Sequence, residues 1–95
     1  MTTPISKEQA EQLLKDIVQW QVGDDGKLIA KTFTLEDFQS AVVFVNQVAK
    51  ISDDMNHHPD IFIHNYNNVT VSLTTHSAGG LSEDDFILAS KIDEL

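Results

Sequence analysis

Ile61-Phe62-Ile63-His64-Asn65-Tyr66-Asn67-Asn68-Val69-Thr70-Val71-Ser72-Leu73-Thr74-Thr75 carries the clearest local pattern in the chain. From Val69 the residues alternate, with Val69, Val71 and Leu73 on one face and Thr70, Ser72 and Thr74 on the other. That is the period of a strand with one buried side. Ile61 to Tyr66 reads as its partner. Asn67-Asn68 between them tolerates positive φ and predicts a hairpin turn.

Working toward the N-terminus, Leu35, Phe38, Val42, Val45 and Ala49 form a helical stripe that Val43 and Phe44 widen. Thr34 followed by Asp37 is an N-cap signature, so this helix is expected to run to about Ile51 and to fill the centre of the core. Before it, Trp20 and Val22 alternate into the turn cluster Gly23-Asp24-Asp25-Gly26, and Leu28 to Phe33 reads as the returning strand. Ser6-Lys7-Glu8-Gln9 has capping-box spacing, with Ala10, Leu13, Leu14 and Ile17 behind it, which predicts a first helix over about Lys7 to Val18. Toward the C-terminus, Ser77 to Gly80 reads as a flexible loop. Ser82 then caps a last helix whose buried side carries Phe86, Ala89 and Ile92. The order is helix, hairpin, helix, hairpin, helix. It argues for one α+β domain over residues 1–95, its two hairpins joined as one antiparallel sheet with helices on one face.

Composition narrows the function. A chain of 95 residues fills one core. Fifteen acidic against six basic residues give a net charge of −9 and a pI of about 4.5. Such a surface repels phosphate backbones and anionic lipid, so neither nucleic acid nor membrane is an expected partner. The absence of cysteine removes disulfides, thiol catalysis and thiolate metal sites. The longest apolar run is Ala41–Val45, and Met1 to Leu14 shows no signal-peptide stretch, so a cytoplasmic protein is expected. On that expectation the sequon Asn68-Val69-Thr70 goes unused.

All four histidines, His57, His58, His64 and His76, fall within twenty residues. Three readings compete for them. They can be ordinary surface histidines, metal ligands or acid–base groups. The metal reading is poor, because Pro59 pushes His58 toward extended backbone, where neighbouring side chains point apart, and no His-x-x-x-His spacing occurs. Imidazole, by contrast, titrates near neutral pH and can give or take a proton. His76 falls on the polar face at the end of its strand, beside Gly79-Gly80, a suitable place to meet a small ligand. A carboxylate from Asp53 or Asp54, near the end of the second helix, would orient His57, although Asp54 reads better as a solvated surface acid. Asp85 stands three residues after Ser82, the spacing of a reciprocal cap. Phe62, Tyr66 and Trp20 read as packing groups of the hairpins. From the residues alone, the substrate stays unassigned.

Taken together, Asp53-x-x-x-His57-His58-Pro59, Tyr66, the stretch Thr75-His76-Ser77-Ala78-Gly79-Gly80-Leu81-Ser82, and Asp85-Phe86 with Leu88-Ala89 resemble the pterin-4a-carbinolamine dehydratase family. Trp20 and the Phe33-to-Phe38 region extend the resemblance over essentially the whole chain. Asp53 stands where glutamate is frequent in that family, and Ile61 where some members have an aromatic. The resemblance implies a two-layer fold, with one four-stranded antiparallel sheet under three helices, assembled as a homodimer or homotetramer. It also implies loss of water from a 4a-hydroxytetrahydropterin to give quinonoid dihydropterin, without metal or bound cofactor. Carried over residue by residue, His57 and His76 are the acid–base pair. His58, with Pro59, Asp53 and Tyr66, positions the substrate, and Asp85 orients or charge-stabilises an imidazole. Two other functions fit the resemblance: a non-catalytic dimerisation module, and a pterin enzyme with another task, such as one serving molybdopterin metabolism.

Overall fold

Strand alternation decides the sheet. In the computed structural model, which describes residues 4–95, Val69, Val71 and Leu73 are fully buried while Thr70 and Ser72 of the same strand are not. Met1 to Thr3 of the expected 1–95 domain lie outside the described residues. The strands are β1 (Gln21–Gly23), β2 (Leu28–Thr34), β3 (Asp60–His64) and β4 (Asn68–Leu73), all antiparallel in the order β1-β2-β4-β3. Cross-strand partners share a face, so the pairs Ile29↔Leu73, Phe33↔Val69 and Ile61↔Val71 line up beneath the helices. The opposite face carries Thr32, Thr34, Asn68, Thr70, Phe62 and His64. Helices α1 (Lys7–Leu14), α2 (Phe38–Met55) and α3 (Glu83–Asp93) complete the order α-β-β-α-β-β-α. No helix among the described residues is long and apolar enough to cross a membrane.

Several local expectations are corrected by backbone chemistry. The first helix stops at Leu14 rather than Val18, and Ile17 is buried from the turn that follows. The cap of α2 is Asp37 alone, since Thr34 still pairs with Asn68 in the sheet. The β3–β4 turn is made by Asn65 and Tyr66, both at positive φ, not by Asn67-Asn68. Asn67 is otherwise engaged: its carbonyl accepts from the Leu35 amide at 2.8 Å and its side-chain amide donates to the Leu35 carbonyl at 2.9 Å. The expected packing roles of Phe62 and Tyr66 also fail, both being 64% exposed. Phe62 instead stacks on His64, with ring centroids 5.0 Å apart on the uncovered face. Trp20 does pack inside, edge-on to Phe33.

The largest correction concerns α2. Its buried residues are Ala41, Phe44, Val48 and Ser52, whereas Phe38, Val42 and Val43 of the expected stripe are exposed. The segment from Phe38 to Ala49 contains no charged residue, so apolar side chains occur all round the helix and periodicity alone cannot pick the inner face. α2 also continues to Met55, one turn past the end expected near Ile51.

Asp37 accepts a hydrogen bond from the Ser40 amide at 2.8 Å, and this bond holds its carboxyl below the ordinary aspartate pKa. A lowered folded pKa adds stability above the unfolded value, and that stability is lost as pH falls through the folded value. Accordingly, the melting-temperature gap between wild type and Asp37→Ala should be open at neutral pH and close as pH falls below about 3.9. A gap independent of pH would show that the charged cap plays no part.

Candidate active site

The site begins at the C-terminal end of α2. Asn56 takes the left-handed conformation, its amide donating to the Asp53 carbonyl at 3.1 Å, and the His57 amide donates to the Ser52 carbonyl at 3.0 Å. This pair of bonds is the closing motif of a helix and turns the chain sharply. His57 therefore leaves α2 with its backbone tied down. The sequence carries a signal for this turn in Asn56, a residue that tolerates positive φ.

The neighbouring imidazoles take different partners. His57 Nε2 lies 2.6 Å from Asp85 Oδ1, with 12% of the histidine side chain exposed and none of the aspartate. His58 Nε2 lies 2.9 Å from Asp53 Oδ1, in a pair whose side chains are 59% and 75% exposed. The first is a fixed internal contact. The second is a solvated one that contributes little to stability. Asp54 points away to an exposed ion pair with Lys50, the solvated role expected for it.

Asp85 is both cap and imidazole partner. Its Oδ2 accepts from the Ser82 amide at 3.0 Å, the reciprocal bond of a capping box, and from the Thr75 hydroxyl at 2.8 Å. Its Oδ1 remains for His57. Thr75 is the residue immediately before His76, so one carboxylate holds His57 directly and His76 through its neighbour. His76 itself is exposed and opens a 3₁₀ turn, His76–Ala78. The loop from Ser77 to Gly80 is closed at its base, where Thr75 and Gly80 exchange both backbone hydrogen bonds, at 3.0 and 3.3 Å. Gly79 at φ 73° makes the reversal without a Cβ penalty.

Two aromatic and histidine positions stand apart from this end. Tyr66 lies in the β3–β4 turn, and the four residue steps of β3 between the two ends span about 13 Å. Within one chain, then, Tyr66 is not brought to His57 and His76. His64 is also at the turn end, its Nε2 2.8 Å from Thr70 Oγ1 on the uncovered sheet face. Thr75 and Ser82 enter the site without having been singled out as functional. The alternation that puts His76 on the polar face puts Thr75 on the covered face beside Leu73, but only the fold shows that it meets Ser82 and Asp85 there.

The arrangement holds one imidazole rigidly against a buried carboxylate and presents two more at the surface. It can exchange protons with a small ligand at the rim formed by the ends of α2 and β4. Among the described residues no three histidine, aspartate or glutamate side chains converge as a metal-ligand set.

Comparison with known proteins matches the chain to a family. Residues 3–95 fit the family model described as pterin 4 alpha carbinolamine dehydratase. A protein of Roseiflexus sp. is 46% identical over 95 residues, which is 100% of this chain and 99% of that one. One from Sulfurisphaera tokodaii is 46% identical over 91 residues, covering 96% and 95%. Both carry the provisional name pterin-4-alpha-carbinolamine dehydratase. The crystal structure of a transcriptional coactivator/pterin dehydratase from Brucella melitensis superposes with a TM-score of 0.90 at 32% identity, over 97% of each chain. A pterin dehydratase-like protein identified as a RuBisCO assembly factor in the alpha-carboxysome shares the fold, with a TM-score of 0.68 at 18% identity, over 80% and 87%. With a family model spanning nearly its whole length and relatives this similar, the chain belongs to the pterin-4a-carbinolamine dehydratase family.

Proposed function

We propose that this protein eliminates water from 4a-hydroxytetrahydrobiopterin to give quinonoid dihydropterin, in the recycling of tetrahydropterin. The observation that carries the reading is the 2.6 Å contact between His57 and the fully buried Asp85, with His76 set next to a second ligand of that carboxylate. Elimination breaks the C4a–O bond. One imidazolium protonates the departing hydroxyl, which leaves as water, and one neutral imidazole takes the proton from the adjacent ring nitrogen. The two rings end with their protonation states exchanged, and solvent resets them. His57 and His76 are this pair. His58, held by Asp53 beside Pro59, positions the pterin at the solvated rim. Tyr66 is left out of the single-chain site because of its distance. The test is a dehydration assay on enzymatically generated carbinolamine. Acceleration proportional to protein supports the reading, and decay at the uncatalysed rate contradicts it.

The donor set supports chemistry without metal, since His57 and His58 are engaged by different carboxylates and their rings do not converge. Dialysis against a strong chelator should leave the dehydration rate intact. A loss restored specifically by zinc or iron would contradict this.

The exposed Phe38, Val42 and Val43 favour association with a second copy of the chain. They lie on the uncharged stretch of α2, in a protein of net charge −9. Open β1 and β3 edges offer further pairing surface. An apolar contact between like-charged chains should hold or strengthen as salt rises and screens the repulsion. Sedimentation of wild type should show a homodimer or homotetramer, and Val43→Glu should weaken it. A wild-type monomer at both low and moderate salt would refute assembly. Dissociation by added salt would refute its apolar character. The same α2 face would serve a non-catalytic interaction module, a role in which the histidines would be idle and the dehydration assay silent.

A further inference from the structure

We infer that a hydroxyl relay from Ser82 through Thr75 fixes Asp85 so that His57 can offer a ligand only its Nδ1, which makes Thr75 a positioning residue for the dehydration. The inference rests on the proposed dehydratase reading for its kinetic consequence, but not for its structural content.

The polarity of the network follows from counting hydrogens. An ionised carboxylate only accepts, and a threonine hydroxyl has one hydrogen to give. Thr75 spends that hydrogen on Asp85 Oδ2 at 2.8 Å. The Ser82 hydroxyl, 2.7 Å from Thr75 Oγ1, must therefore be the donor in their bond. The Ser82 amide also donates to Oδ2, at 3.0 Å. Both fixed donors thus converge on Oδ2, and Oδ1 is left to accept from His57 Nε2 at 2.6 Å. That nitrogen must carry a hydrogen. In neutral His57 the free lone pair is then on Nδ1, and in the imidazolium the free N–H is again on Nδ1. In either protonation state Nδ1 is the atom available for proton transfer.

Burial enforces the arrangement. Asp85 is fully buried, with Thr75 at 6% and Ser82 at 1% exposure, so water does not compete for these bonds. Thr75 also anchors the loop bearing His76 through its paired backbone bonds to Gly80. One side chain thus sets the state of the first imidazole and the position of the second.

The tautomer can be read directly by ¹⁵N NMR of the histidine rings in the intact protein, at a pH where His57 is neutral. Wild type should show Nε2 protonated and Nδ1 bare. In Asp85→Asn, the Thr75 hydroxyl and Ser82 amide still require an acceptor, so the introduced amide oxygen occupies the Oδ2 place and its NH₂ faces His57. The ring must then accept at Nε2 and carry its hydrogen on Nδ1. That inverted tautomer should lower kcat by about 10²–10⁴-fold. Thr75→Val should lower kcat on the order of 10–100-fold with KM little changed, and Thr75→Ser should restore it. Nδ1 protonation in neutral wild type, or an unchanged tautomer in Asp85→Asn, would overturn the inference. So would full kcat in a folded Thr75→Val. If Thr75→Val fails to fold, the two NMR results decide alone. A protein with the stated tautomers and no dehydration activity would overturn the dehydratase reading and keep the relay.

Discussion

His57→Ala and His76→Ala should each lower the catalysed dehydration rate by roughly 10²–10³-fold, the range for loss of a general acid or base. The two differ in their structural consequences. His57 is mostly enclosed and its removal leaves Asp85 Oδ1 without its partner, so some stability should be lost with the activity. His76 is exposed and makes no side-chain hydrogen bond among the described residues, so His76→Ala should melt close to wild type. Substrate binding should survive better in both than in His58→Ala, whose ring stands at the solvated rim. Steady-state kinetics on the three variants, beside their melting curves, checks this. Near-full turnover in folded His57→Ala and His76→Ala would remove the acid–base assignment.

The second large effect is on stability, at the opposite end of α3. Asp93 accepts from the Trp20 indole N–H at 3.1 Å and from Lys31 Nζ at 2.8 Å, tying the last helix to β2 and to the chain before β1. The Lys31 and Asp93 side chains are only 13% and 17% exposed. Asp93→Ala would leave a mostly buried ammonium and a buried indole N–H unpaired, a loss of about 3 kcal/mol. For a domain of this size each kcal/mol shifts the melting temperature by roughly 4–8 °C, so a fall of about 12–24 °C is expected. Asp54→Ala, which breaks the exposed Lys50 pair, should cost less than about 1 kcal/mol. Thermal denaturation at matched protein concentration compares them. An Asp93→Ala loss no larger than that of Asp54→Ala would show that the buried cluster is not a stabilising tie.

These cases show what the sequence made legible. β4 was readable because a strand with one covered face repeats every two residues, and Val69, Val71 and Leu73 obey that without exception. The capping box at Ser6, realised with Gln9, was readable because its partners are three residues apart. The inner face of α2 was not, because exposed apolar side chains and an apolar core face coincide on one helix. Nor was the Trp20–Asp93 bond, whose partners are 73 positions apart. The site divides in the same way. Residue types and spacing singled out the histidines and read Asp85 as a cap, while the family resemblance implied the rival role of imidazole partner. The fold removes that rivalry, since the two carboxylate oxygens serve one role each. Thr75 stayed hidden because its partners Ser82 and Asp85 stand 7 and 10 positions away and only the fold brings them to its hydroxyl.

In the proposed reaction two histidines carry the protons as this protein removes water from a pterin carbinolamine. The most direct test is to generate the carbinolamine enzymatically and follow its decay after rapid mixing. Wild type and the double variant His57→Ala/His76→Ala should be compared at equal concentrations. A first-order rate that rises linearly with wild-type protein and stays at background with the folded double variant is the predicted result. Background decay with wild type would rule out the dehydratase activity, and equal acceleration by the double variant would rule out the histidine pair.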